Sequence, residues 1–167
     1  MKHNVQHVGS HLLQAKSTEL AWYITGLVDG EGCFSISFTE REKLKSGLEI
    51  RPSFSIGQNK KSLPVLKLIH TYFGCGAIRF SKRDQMYKYE VRSIGDIQNR
   101  IIPHFEKYPL QTFKLNDFDK FKFICNQISA SKHLNSEYLS EIITIAYTMN
   151  ESGKRKYTLQ DILKILK

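Results

Sequence analysis

The chain's 167 residues are the length of a single domain, and a 41% hydrophobic, 25% charged composition provides for a real core. Its 25 Lys and Arg against 16 Asp and Glu leave a formal net charge of +9. That balance belongs either to a plain basic protein or to one that meets a polyanion such as DNA, RNA or an acidic membrane surface. No stretch approaches the ~18 apolar residues of a transmembrane helix, and the N-terminus lacks the apolar run of a secretory signal. The 3 cysteines, Cys33, Cys75 and Cys125, are odd in number and far apart, so they make neither a disulfide framework nor a zinc pattern and fit a reducing, intracellular setting.

Residues 1–16 are polar and aperiodic and read as an N-terminal arm; residues 17–167 read as one domain. A helix is predicted from near Ser17, with Glu19 in its first turn where the helix dipole favours an acid, to Gly30 and Gly32. CFSISFT alternates Phe34, Ile36 and Phe38 with Ser35, Ser37 and Thr39, the period of a strand with one buried face. Across a charged turn, LEIRPSFSI sets Ile50, Phe54 and Ile56 against Glu49, Arg51, Ser53 and Ser55. SLPVLKLIHTYFG reads as a helix, with Pro64 in its first turn and Gly74 past its end. AIRFS and MYKYEVR form a second strand pair, with Ile78, Phe80, Tyr87, Tyr89 and Val91 on one face and Arg79, Ser81, Lys88, Glu90 and Arg92 on the other. A short helix in GDIQNRIIPHF, a PLQTFK linker, helices at about 116–130 and 136–149, a basic GKRKY turn and a last helix in TLQDILKILK complete an α+β order.

The polar face shared by the four strands is basic and rich in hydroxyls. It is either an ordinary solvated face, as antiparallel sheets commonly have, or one that could lie in a DNA major groove. Asp29 and Glu31 stand where the first helix ends, although unpaired carbonyls already make a helix C-terminus negative. Two readings fit: a glycine helix end followed by an exposed acid, or an oxygen-rich end that becomes favourable when a hard divalent cation binds. Gly26 and Gly30, one helical turn apart with Trp22 a further turn back, would let a second helix approach closely.

ITGLVDGEG (residues 24–32) resembles the LAGLIDADG motif of homing endonucleases. Gly26, Leu27, Asp29 and Gly32 match; Ile24 and Val28 are conservative changes, Thr25 and Gly30 replace alanines, and Glu31 replaces the second aspartate. The motif also stands where that family has it, ending a helix that runs into a two-stranded ribbon. FSIGQ before the second helix and PLQTFKLNDF before the C-terminal helices agree with the family layout over roughly residues 18–166. The resemblance implies the αββαββα fold, an antiparallel sheet saddle with C-terminal helices. It implies a site-specific DNA endonuclease, intron-encoded, making a staggered double-strand break by metal-dependent phosphodiester hydrolysis. Mg²⁺ is the expected cofactor, with Mn²⁺ as a substitute.

Carried onto this sequence, the resemblance makes Glu31 the metal-binding acid, with the Gly30 carbonyl adding a ligand. It gives Gln58 the ordering of the attacking water and places Lys114 near the scissile phosphate. A second basic residue near Lys60 and Lys61 stays open, because Ser62 occupies the aligned position. A single copy of the motif implies a homodimer on a long pseudo-palindromic target, with Trp22, Gly26 and Asp29 at the interface. DNA contacts fall to Ser35, Ser37, Thr39, Arg41, Glu49, Arg51, Ser53, Ser55, Arg79, Ser81, Lys88 and Glu90, with arginine suited to guanine and glutamate able to accept from cytosine. Lys154, Arg155 and Lys156 are expected on phosphates. Two relatives of this reading are an intron RNA maturase and a non-catalytic DNA-binding protein on the same fold. Ile- and Lys-rich usage fits an AT-rich genome, such as an organelle (mitochondrion or chloroplast) or a bacterium. No membrane role is expected.

Overall fold

α1 spans Val5–Glu31 in the computed structural model, which describes residues 5–82, 84–150 and 155–166. The helix expected near Ser17 therefore starts upstream and takes in most of the expected arm, because no proline interrupts residues 5–16 and Ser17 lies inside the helix rather than capping it. Ala21, Ile24, Thr25 and Val28 are its buried stripe, at the i, i+3, i+4, i+7 spacing of a helix packed on one side.

β1 (Gly32–Glu40) follows without a loop and pairs antiparallel with β2 (Leu48–Asn59), from Gly32 opposite Ile56 to Glu40 opposite Leu48. α2 (Leu63–Phe73) leads to β3 (Ala77–Ser81) and β4 (Met86–Val91). The sheet order is β1-β2-β4-β3, with every neighbouring pair antiparallel. The period-2 pattern places Phe34, Ile36, Phe54, Ile56, Tyr89 and Val91 in the core beneath the sheet. Phe80, expected on the same face, is 42% exposed: it lies near the end of the short edge strand β3 and packs on the Tyr87 ring at 4.9 Å.

α3 (Ile94–Asp96), a π turn (Ile97–Ile101) and α4 (Ile102–Lys107) form one helical run that buries Ile97, Ile101, Ile102 and Phe105. α5 (Lys114–Ser129), α6 (Ser136–Tyr147) and α7 (Leu159–Ile165) follow. The Phe34 ring is the hub of the core, with centroids of Phe54, Phe105, Phe118 and Phe121 at 5.2, 5.3, 5.3 and 5.4 Å. A smaller apolar cluster, Leu48, Leu139, Ile143 and Ile162, fastens α6 and α7 to the turn end of the β1–β2 ribbon.

β1 is one of the two edge strands, so alternate carbonyls lack a strand partner. Three side chains from the C-terminal half supply donors: Lys114 Nζ to the Gly32 carbonyl, Asn150 Nδ2 to Phe34 (2.7 Å) and Arg155 Nη1 to Ile36 (3.2 Å). With the Ile36 carbonyl facing outward, its partner Pro52 has no bond to give β1; β4 stops opposite Phe54, so none is wanted on the other side either.

Candidate functional site

The sharp passage from α1 to β1 is made possible by Gly32: a Cβ there would stand 2.5 Å from Val28 Cγ1 and 2.7 Å from the Val28 carbonyl oxygen. The turn leaves Gly30 and Glu31 exposed, and the Glu31 carboxylate takes no hydrogen bond or ion pair among the described residues. Asp29, two residues back, is fully engaged. Its Oδ2 accepts from the Gln111 N–H at 2.8 Å, while Oδ1 accepts from the Thr112 hydroxyl at 2.7 Å and the Thr112 N–H at 3.3 Å. Thr112 Oγ1 in turn accepts from the Lys114 N–H at 3.3 Å.

Asp29 thus ties the 109–113 linker to the end of α1 and sets the start of α5. From there the Lys114 ammonium reaches the Gly32 carbonyl, next to Glu31. Gln58 is half-buried near the end of β2, two residues beyond the partner of Gly32, so it lies toward the α1 terminus. The fold therefore gathers Gly30, Glu31 and Lys114, with Gln58 alongside. Lys60 and Lys61 form a short 3₁₀ turn capped by the Asn59 side chain, and both are exposed.

No group of three or more His, Cys, Asp or Glu among the described residues could hold a metal ion by itself. The free carboxylate of Glu31 and the carbonyl of Gly30 are hard oxygen donors. They fit Mg²⁺, which keeps several waters and takes one or two carboxylates together with phosphate oxygens.

The outward side of α1 is open. Trp22 and Tyr23 are 44% and 50% exposed, and a Cβ at Gly26 or Gly30 would meet nothing within 4 Å. On the opposite side a polar network is enclosed around Thr25, the residue that replaces a motif alanine. The Thr25 hydroxyl donates to the Tyr108 carbonyl (3.0 Å) and lies 3.2 Å from His104 Nε2; His104 Nδ1 lies 3.0 Å from the Tyr72 hydroxyl. Burial pushes the His104 pKa down to about 4.

The polar face of the sheet carries the expected residues, unevenly exposed. Ser37, Arg41, Arg79 and Lys88 are exposed, and Ser35, Thr39, Glu49, Arg51 and Ser81 partly so. Ser53 and Ser55 are almost covered, at 8% and 3%, because Glu90 folds over the middle strand and accepts from Ser53 Oγ at 3.1 Å. Neither glutamate stands alone. Glu49 Oε2 accepts from Arg41 Nε and Arg51 Nη2, both at 2.9 Å, and the hydrogen bonds from Arg51 and then Arg41 hold its pKa down to about 2. Glu90 accepts from Lys88 Nζ at 3.4 Å and is ion-paired with Arg92, whose Nε lies 2.9 Å from Oε2. Burial alone would raise the Glu90 pKa, but Lys88, Arg92 and Ser53 bring it below the usual range. Arg92, which sequence reasoning set on this face without naming it as a contact, emerges as one of its most exposed cations, at 59%.

The basic turn is a correction. Arg155 is folded inward: its guanidinium donates to the carbonyls of Ile36 (3.2 Å), Ala146 and Met149 (3.4 Å) and lies 4.5 Å from the Tyr147 ring centroid. Its donors are used inside the protein rather than offered to phosphate. Lys156 is exposed, with its ammonium 4.7 Å from the Tyr157 ring centroid. Lys154 lies outside the described residues.

The LAGLIDADG endonuclease family model matches residues 24–125. "Probable intron-encoded endonuclease 3" of Neurospora crassa is 35% identical over 130 residues, which are 77% of this chain and 24% of that protein. The chain spans about a quarter of the length of the Neurospora crassa and Podospora anserina relatives it matches. "Homing endonuclease I-ApeII" of Aeropyrum pernix is 29% identical over 153 residues, covering 88% of this chain and 90% of that one. The archaeal intron-encoded homing endonuclease I-Vdi141I, solved in complex with DNA, superposes with a TM-score of 0.81 at 28% identity, over 89% of this chain and 94% of that one. With the motif at the α1 terminus, the antiparallel four-stranded sheet and these likenesses together, the chain belongs to the LAGLIDADG endonuclease family.

Proposed function

We propose that this chain is an intron-encoded, site-specific DNA endonuclease that works as a homodimer with Mg²⁺. The observation that carries the reading is the unengaged Glu31 carboxylate at the end of α1, beside the open helix face of Trp22, Gly26 and Gly30. Pairing two such faces across a two-fold axis would bring both Glu31 side chains to the centre of a DNA duplex. A soluble monomer has little reason to leave Trp22, Tyr23 and two bare glycines in one stripe.

Glu31 and the Gly30 carbonyl would hold Mg²⁺, which when bound activates water and stabilises the leaving oxygen. Gln58 orients the attacking water. Its oxygen forms the new bond to phosphorus as the bond to the 3′ oxygen breaks, and the departing oxygen takes up a proton. Lys114 supplies positive charge to the phosphate and is brought to the site by the Asp29–Thr112 linkage. Each protomer cuts one strand, which gives the staggered break. The exposed sheet face, with Arg41, Arg51, Arg79, Lys88 and Arg92, lies along the major groove.

The test is a cleavage selection on a DNA library randomised about a two-fold centre, run in Mg²⁺ with Glu31→Gln alongside. The wild type alone should yield staggered, pseudo-palindromic ends. Cleavage by Glu31→Gln would overturn the metal assignment, and a monomer at micromolar concentration in sedimentation would overturn the two-fold arrangement. Tight binding to structured intron RNA without DNA cleavage would replace the reading by that of a splicing cofactor.

A further inference from the structure

Among the described residues the polar face of the sheet carries five cations, Arg41, Arg51, Arg79, Lys88 and Arg92, and two acids, Glu49 and Glu90. Those acids could act as readers, accepting from cytosine N4, or as holders of the cations beside them. Their geometry favours holding. Glu90 is 9% exposed, and both its oxygens are taken, Oε1 by Ser53 and Lys88 and Oε2 by Arg92. Glu49 spends one oxygen on two arginines.

Arg41 and Arg92 each meet their glutamate through Nε at 2.9 Å. A guanidinium anchored by Nε keeps both terminal nitrogens free. The neighbouring carboxylate biases its direction and leaves the terminal nitrogens pointing away from the glutamate. Both arginines are more than half exposed, at 54% and 59%, and both lie just past a strand end, where the chain is free to project. A fork of two parallel N–H groups matches the O6 and N7 acceptors of guanine in the major groove. Arg79, by contrast, has no ion pair among the described residues and nothing to fix its direction.

We propose that Arg41 and Arg92 each read a guanine edge, and that Glu49 and Glu90 are the positioning residues that aim them. The proposal rests on the reading of the chain as a DNA-binding protein. Glu49 and Glu90 themselves leave no base-specific signature: they sharpen the guanine preference of their arginines and subtract one positive charge each from the face.

The experiment is a binding selection on randomised duplex DNA in EDTA, so that cleavage plays no part, with the wild type, Arg41→Lys, Arg92→Lys, Glu49→Gln, Glu90→Gln and the Arg41→Lys/Glu49→Gln pair. Lysine keeps the charge and loses the fork. Each Arg→Lys change should therefore weaken guanine preference at one position by roughly tenfold, the scale of a bidentate pair, and leave the salt dependence of binding unchanged. Glu49→Gln should weaken the same position as Arg41→Lys, by several-fold, and add nothing in the Arg41→Lys background. Glu90→Gln should do likewise at the Arg92 position. A cytosine preference lost in Glu49→Gln but kept in Arg41→Lys would overturn the proposal, as would Arg→Lys proteins that lose affinity evenly across all sequences. If the wild type enriches a site that none of the changes alters, this proposal alone fails. If the wild type enriches no DNA, the underlying functional reading fails with it. Thermal midpoints measured alongside report whether Glu90→Gln, the least exposed of the changes, still folds.

Discussion

Acidifying the protein from pH 7 to pH 5 should weaken it through His104. The Tyr108 carbonyl can only accept, so the Thr25 hydroxyl donates to it. Thr25 Oγ1 must then accept from His104 Nε2–H, which leaves Nδ1 to accept from the Tyr72 hydroxyl. Of the two neutral tautomers, the one with its proton on Nε2 uses every hydrogen in this network once. A second proton on Nδ1 would turn the Tyr72 hydroxyl from donor to acceptor and set a full charge in a place 6% exposed, and this burial pushes the His104 pKa down to about 4. An unfolded histidine titrates near 6.5. Above that value both states are neutral. As the pH falls from about 6.5 toward about 4 the unfolded chain takes up a proton that the native chain refuses, so stability drops with pH and the loss is complete below about 4. At about 1.4 kcal/mol per pH unit the full gap is about 3 kcal/mol, of which about 2 kcal/mol is gone at pH 5. For a chain of this length that is a fall of roughly 4–8 °C in midpoint. Urea unfolding of the wild type and His104→Gln between pH 7.5 and 5 isolates the effect, since the other titrating groups are common to both. Equal pH slopes for the two proteins, or a His104 ring signal that titrates near 6.5 in NMR, would mean that His104 is not the source of the acid sensitivity.

Asp29→Asn turns one acceptor oxygen into a donor facing a backbone N–H. It should cost about 1–2 kcal/mol in thermal unfolding, given the partial exposure of the site. Its cleavage rate should fall at unchanged Mg²⁺ requirement; a parallel loss of metal affinity would instead make Asp29 a ligand. Phe34→Ala removes the ring at the centre of four aromatic contacts and should lose about 3–5 kcal/mol, read from denaturant midpoints. Gly76→Ala sets a Cβ 2.7 Å from the Glu90 carbonyl at a φ of +79°, so it should destabilise by more than about 1 kcal/mol, measured the same way.

The strands were legible because a sheet with one packed face imposes strict alternation, and Phe34, Ile36, Phe54 and Ile56 obey it. The glycine-rich acidic string at residues 24–32 was legible as the end of a helix because Gly32 has no room for a side chain. What alternation cannot convey is how far a neighbouring strand leans over. Ser53 and Ser55 lie on the polar face, yet Glu90 covers them from β4. Nor can a run of basic residues reveal which members fold back: Arg155 turned inward because unpaired carbonyls of β1 and the end of α6 were waiting for a donor. Thr25 carried a faint sign of the His104 network, a hydroxyl where the motif has a methyl, but its partners lie 79 and 83 residues away.

The three donors along the outer edge of β1 have a bearing on how such a protein can diversify. A backbone strand in that position would lock the neighbouring segments into register with the sheet, so that any insertion would shift every pairing. Lys114, Asn150 and Arg155 arrive instead from separate places in the C-terminal half, each side chain meeting a single β1 carbonyl. The helices and loops between those anchors are free to lengthen, shorten or change composition without sliding the strand that presents Ser35, Ser37 and Thr39. The same side chains occupy an edge on which another chain could otherwise nucleate. The recognition surface and its surroundings are thus mechanically uncoupled, and each can drift while the other holds still.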